Sequence, residues 1–285
     1  MNVLGLIIGV ATAGSASMLN VLLKKIDGVS PHFLTFIRMG AATSALALFV
    51  SLFSTWAIPP PAFWFLISVI VPLEIAFGWC ITKAVQASPL SVVGPFTSFS
   101  SLFLIPVGFV VLGELPTSRG ITGIAAIIAG LFFLGWRQEE RLSSGWKNLM
   151  GERGTYFALA GALTSSFVVS ATKASFQYAP PLLTAFYITA VLALVLSPIA
   201  YRQSRKTIVP HTQTLIGLWA VSSASIALHN TGLSLMQASY FISLKRLSVL
   251  LDVFFGKVIF KEEHVRERSI GAALMVVGVI LIVLG

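Results

Sequence analysis

The sequence predicts an all-α membrane protein, with ten transmembrane helices arranged as two inverted five-helix repeats. Three observations carry that expectation. The 285-residue chain is 56% hydrophobic and only 10% charged, with mean hydropathy +0.91, whereas a soluble globule is about a quarter charged. Apolar runs close to the ~20 residues that cross a bilayer recur along the whole chain. Residues also recur in order at a nearly constant offset, which marks a duplicated unit.

The expected helices run roughly over 3–23, 32–53, 62–82, 89–112, 119–136, 155–175, 182–200, 212–235, 238–260 and 267–285. The first opens as MNVLGLIIGV, and Lys24 and Lys25 follow it rather than precede it. That order does not fit a cleaved signal peptide, so the segment is read as a retained first helix. The second carries Arg38 about a third of the way in, and the third carries Glu74 just after Pro72. Pro89, Gly94, Pro95 and Pro106 loosen the fourth. Such breaks free carbonyls, which is tolerated only against protein or a watery cavity. Small residues at Gly5/Gly9, Ala13/Ser17, Gly108/Gly113 and Gly271/Gly278 suit close helix packing, within one chain or in a homodimer. The longest hydrophilic stretch, 137–153 (RQEERLSSGWKNLMGER), is too short for a domain. The expected organisation is therefore a first repeat over 1–136, a linker over 137–153 and a second repeat over 154–285.

The repeat is collinear. Shifted by 149, Gly5, Ser17, Lys24, Pro31, Leu34 and Thr35 fall on Gly154, Ser166, Lys173, Pro180, Leu183 and Thr184. Shifted by 148, Glu114, Gly123, Ala125 and Gly130 fall on Glu262, Gly271, Ala273 and Gly278. Gln86-Ala87-Ser88 returns as Gln237-Ala238-Ser239. Five helices per unit is an odd number, so the second copy starts on the opposite side of the membrane. The loop charges agree. The second loop, 54–61, has no Lys or Arg, but its counterpart has Arg202, Arg205 and Lys206. By the positive-inside rule the odd-numbered loops are cytoplasmic and both termini external.

Several function classes drop out. A formal charge of +9 would suit nucleic acid only on a soluble basic face, and here the basic residues sit mainly in short loops. Cys80 stands alone, which excludes an intrachain disulfide and a cysteine metal site. No GxxxxGK[ST] run is present, so transport must draw on gradients. No cofactor and no metal is expected.

The stretch 237–263 is long enough to span and carries Lys245, Arg246 and Asp252 near its middle. Charge at that depth costs about 3 kcal/mol or more and normally faces a cavity or a partner. On a continuous helix Lys245, Ser248 and Asp252 share a face, with Arg246 pointing elsewhere. The alternative is a structural ion network, or Arg246 clasped by helix-end carbonyls. Glu74, with Gly78 and Ile81 on its face and Trp79 beside it, is the candidate proton-coupling group, because a carboxyl withdrawn from water can exchange a proton near neutral pH. The alternative is neutralisation by Arg38 or Lys245. Arg38 and Pro95 are structural or gating candidates. His229 and Asn230 lie deep in the eighth helix and suit either the site or packing. Lys83 and Lys173 fall near helix ends, at the interface. Trp56, Trp64, Trp136, Trp146 and Trp219 mark membrane surfaces.

Three segments resemble a known family. They are PHFLTFIRMGAA (31–42), QASPLSVVGPFTSFSSLFLIPVGFVVLGELPTSRGITGIAAIIAG (86–130) and QASYFISLKRLSVLLDVFFGKVIFKEEHVRERSIGAALMVVG (237–278). With two five-helix halves they resemble the drug/metabolite transporter superfamily in its EamA-type branch, over essentially the whole chain. The chain departs from that pattern in Pro106 and in Lys261, which stands where the first half has Gly113. The resemblance implies export or exchange of small metabolites, commonly proton-coupled. Glu114 and Glu262 match its junction glutamates and are expected to cap the next helix in the chain.

The resulting expectation is a secondary active transporter of an amino acid or organic anion, not an enzyme. One half would rock against the other around Lys245, Arg246, Glu74, Asp252, Trp79, Asn230 and His229. The basic pair would hold an anionic group; Glu74 or Asp252 would meet an amine or carry a proton. Expected partners are the small-molecule substrate, the lipid bilayer of a bacterial inner (plasma) membrane, and protons as coupling ion, with a homodimer open and no nucleic acid. A membrane-embedded enzyme on lipid-linked substrates would need grouped catalytic residues, whereas His32, His211, His229 and His264 are scattered. A sensor or assembly subunit would bind without moving solute.

Overall fold

The computed structural model describes residues 3–24, 31–53, 56–88, 93, 96–135, 153–204, 212–251 and 269–284. These form α1 (Val3–Lys24), α2 (Pro31–Phe53), α3 (Pro61–Ala87), α4 (Ser100–Leu112), α5 (Ser118–Gly135), α6 (Arg153–Ser175), α7 (Pro181–Ser204), α8 (Thr212–Leu235), α9 (Ala238–Lys245) and α10 (Ser269–Leu284), with no strand among the described residues. The fold is all-helical. α1, α2, α3, α6 and α7 are each long and apolar enough to cross a membrane. α4, α5 and α10 contribute shorter apolar runs. α8 is as long as α7, but Ser222, Ser223, Ser225, His229 and Asn230 in its middle dilute its apolarity.

Local chemistry sets the ends. α3 starts on Pro61, where the missing N–H costs nothing in a first turn. α4 stops at Gly113, which takes φ 70° and lets Glu114 N–H reach back 3.2 Å to Gly108 O. Thr117 caps α5: its Oγ1 accepts from Gly120 N–H at 3.0 Å. Glu114 therefore does not cap the next helix as expected. Its Oε2 accepts from the Ala238 N–H at 2.9 Å and caps α9, in the other half of the chain. Lys173, expected at the interface, forms an ion pair with Glu114 and donates to Met236 O.

The fourth and ninth helices are not continuous as expected. The helical path breaks at 98–99, between residues 96–97 and α4, and again at 246–247, directly after α9. At both places i→i+3 bonds replace the α pattern, as in Ser101 N–H to Ser98 O (3.2 Å) and Leu247 N–H to Leu244 O (3.0 Å). The two breaks lie 148 residues apart, the offset of the repeat. Pro106, by contrast, sits inside an unbroken α4. The face shared by Lys245, Ser248 and Asp252 assumed a continuous helix, and the break removes that premise.

Packing runs between the halves. The principal contacts join α5 to α10, α3 to α6, α2 to α7 and α1 to α8, with α4 on α6 and α1 on α9. Halves interlaced in this way cannot rock as two rigid bodies, which corrects that expectation. The α5–α10 crossing is made by glycine. A Cβ on Gly123 would lie 2.6 Å from Gly278 O, and one on Gly130 would lie 2.5 Å from Gly271 O. Gly5 and Gly9 let α1 close on Met236 and Leu244, whereas Gly108 faces no neighbour within 4 Å. Beside this crossing a core forms from Ile124, Ile127, Met275, Phe241 and Leu244. A second core joins α3 to α7 through Phe63, Ile67, Ile70, Leu183 and Ile188.

Candidate functional site

The two helix breaks meet. Arg246 reaches the α4 break: its Nη2 donates to Thr97 O at 3.0 Å and to Ser100 Oγ at 2.7 Å. Nε of the same guanidinium is buried without a hydrogen bond, and so is Nε of Arg38 on α2. A buried polar group left unpaired costs about 1–3 kcal/mol. Both arginines thus carry spare donors inward.

Lys245 ends α9 beside Arg246. Its Nζ lies 3.3 Å from His229 Nδ1 on α8. With Lys245 charged, its ammonium donates and the ring nitrogen accepts, which assigns the imidazole proton to Nε2. Phe241 fixes the ring from the side, edge-on at 5.2 Å. The charges of Arg246, Glu74 and Arg38 all reach Lys245. Glu74, half-buried on α3, forms no ion pair within 4.0 Å and no hydrogen bond among the described residues. Lys245 and Glu74 therefore act on one another across a gap. α2, α3, α8, α9 and the α4 break each send a polar group to this centre.

Asn230, next to His229, is buried. Its Nδ2 donates to Ile226 O at 3.0 Å and its Oδ1 has no partner. Trp79 is 55% exposed and lies edge-on to Phe157 of α6 at 5.6 Å, about 140° around α3 from Glu74. Asp252 and Pro95 lie outside the described residues. Thr97 and Ser100 were not singled out from sequence. Their nearest signal was the proline and glycine content of 89–95, which marked a loosened helix without saying what would hold it.

The sequence profile of the EamA-like transporter family matches residues 3–136 and 152–284. A solved structure, described only as a crystal structure of a protein, superposes with a TM-score of 0.79 over 98% of each chain at 15% identity, which is a likeness of fold. No curated protein matches the chain.

Proposed function

The chain belongs to the EamA-like transporter family and is a membrane transporter of the drug/metabolite superfamily; from that premise we propose a secondary active transporter of amino acids or organic anions that exports or exchanges them by alternating access. The family consists of transporters rather than enzymes. The observation that carries the reading is that Lys245, Arg246, Arg38 and Glu74 are close enough to feel one another's charge without an ion pair between Lys245 and Glu74, while the Nε of Arg38 and of Arg246 are buried without a hydrogen bond. Three cations and one carboxylate share the centre among the described residues. Buried ions cost several kcal/mol each unless matched, so an entering anion is favoured. A carboxylate on Lys245 and Arg38 with an ammonium on Glu74 would bridge the gap. Glu74 is the proton carrier in this proposal.

Ten membrane-spanning helices in two inverted repeats are part of the same proposal. The equal 148-residue spacing of the two breaks, of Gly123 and Gly271, and of Gly130 and Gly278 supports it. The interlaced packing supports two moving groups drawn from both halves, α1–α8–α9 and α3–α4–α6. The loop charges support cytoplasmic odd-numbered loops, and a bacterial inner membrane belongs to the same proposal.

The test is counterflow into vesicles holding purified protein, with amino acids, dicarboxylates and sugar phosphates in turn, beside thermal unfolding. A ligand at about 100 times its dissociation constant adds about 2.7 kcal/mol of stability. One class should exchange and stabilise the wild type, and Lys245→Ala should lose both effects. Glu74→Gln should lose response to a proton gradient and weaken exchange of amino acids more than that of dicarboxylates, which bring no ammonium. Equal exchange by Lys245→Ala would move the site elsewhere.

A further inference from the structure

The turns α2–α3, α4–α5, α6–α7 and α8–α9 come together at one end of the bundle, where a polar clasp ties the halves. Glu114 of the α4–α5 turn accepts from the Ala238 amide at 2.9 Å and pairs with Lys173 of α6. Lys173 also donates to Met236 O. Gln237 Nε2 donates to Leu115 O at 3.3 Å, and the Thr117 N–H donates to Tyr240 Oη at 2.9 Å. Tyr240 reaches that amide only because Gly120 is bare: a Cβ there would fall 2.0 Å from the phenol oxygen. At the same end Trp56 packs edge-on to Phe186 at 5.0 Å, Tyr187 to Trp64 at 5.1 Å, and Tyr187 Oη bonds Ala57 O at 3.2 Å.

We propose that Glu114 and Lys173 form a gate in the transport cycle, holding this end shut and releasing when the central site opens to this face. The inference rests on the transport reading above. Two observations carry it. First, Glu114 is not spent on its own element, because Thr117 already caps α5; its carboxylate serves a helix 124 residues away. Each bond of the clasp must therefore break for α9 to part from α4 and α6 at this end. Second, Ala238 and Lys245 are the two ends of α9, seven residues and about 10 Å apart. Whatever moves the capped end moves the lysine that faces Glu74.

The test uses the full chain with Cys80→Ser and one reporter cysteine, Ser248→Cys, a turn beyond Lys245. A membrane-impermeant thiol reagent is applied to each face of oriented vesicles. The unaltered clasp should label slowly from its own face. Glu114→Gln and Lys173→Met should each raise that rate about tenfold and lower the rate from the opposite face, the shift expected from losing a helix cap and its ion pair. Gln237→Ala, which removes one exposed bond, should move it the same way by less. If the monodisperse variants leave both rates unchanged, or if the wild type already labels as fast from the clasp face, the gate is wrong. Labelling needs no substrate, so that result leaves the transport reading standing. A normal clasp response in a protein that exchanges no solute overturns the transport reading instead.

Discussion

Lys245 leans on a histidine, not on a carboxylate, and that changes what it can do. An ion pair would cancel its charge, whereas an accepting imidazole orients the ammonium and leaves the charge for a ligand. His229→Gln should retain an acceptor and bind substrate nearly as the wild type does. His229→Leu should lose it and weaken apparent affinity about tenfold, in line with ~1.5–3 kcal/mol for a hydrogen bond to a charged group. Exchange kinetics across a substrate series check this, and equal KM values for the two variants would show that the histidine only packs. The charged members of the candidate site were legible in the sequence, because Arg38, Glu74, Lys245 and Arg246 each interrupt an apolar run. Their partners were not. Thr97 and Ser100 lie 149 and 146 residues from Arg246, and only the fold brings them together. The partner of Glu114 was missed for the same reason. A glutamate just before a helix reads as that helix's cap, and nothing local says that Thr117 has taken the task.

Among the elements, the α5–α10 pair has the least slack. A methyl on Gly123 must displace Gly278 O at 2.6 Å or Ile282 Cγ1 at 2.8 Å, and backbone cannot yield as a side-chain tip can. Gly123→Ala should therefore cost about 1–3 kcal/mol. Gly78→Ala, with open space around its Cβ, should cost little or gain slightly through helix propensity. Unfolding midpoints in one detergent compare them, and equal midpoints would mean that the crossing relaxes. α1, α2, α3, α6, α7 and α8 follow their apolar runs to within a few residues. The breaks were half visible. Proline and glycine announced trouble before α4, but residues 238–251 hold neither, and the path still opens at 246–247. There the break carries Arg246, whose Nη2 reaches Thr97 O and Ser100 Oγ across the fold.

At the scale of the whole molecule, the repeat was legible as a sequence offset, but its meaning for packing was not. Two similar halves suggest two bodies, and the helices instead seek partners in the opposite half. A chain cut within 137–153 and expressed as two pieces should assemble into one particle. Either piece alone should aggregate or be degraded. Affinity capture with size-exclusion profiles reads this directly, and a monodisperse isolated half would contradict it. The interlacing also has a consequence in time. Gly123 and the residue it must meet, Gly278, leave the ribosome 155 residues apart, roughly 8–30 s at about 5–20 residues per second. Throughout that interval the glycine seam of α5 lacks the α10 backbone it packs against. A nascent chain of this design depends on insertion factors that shelter unfinished helices, and its yield in a cell should follow elongation speed more closely than the stability of the finished fold.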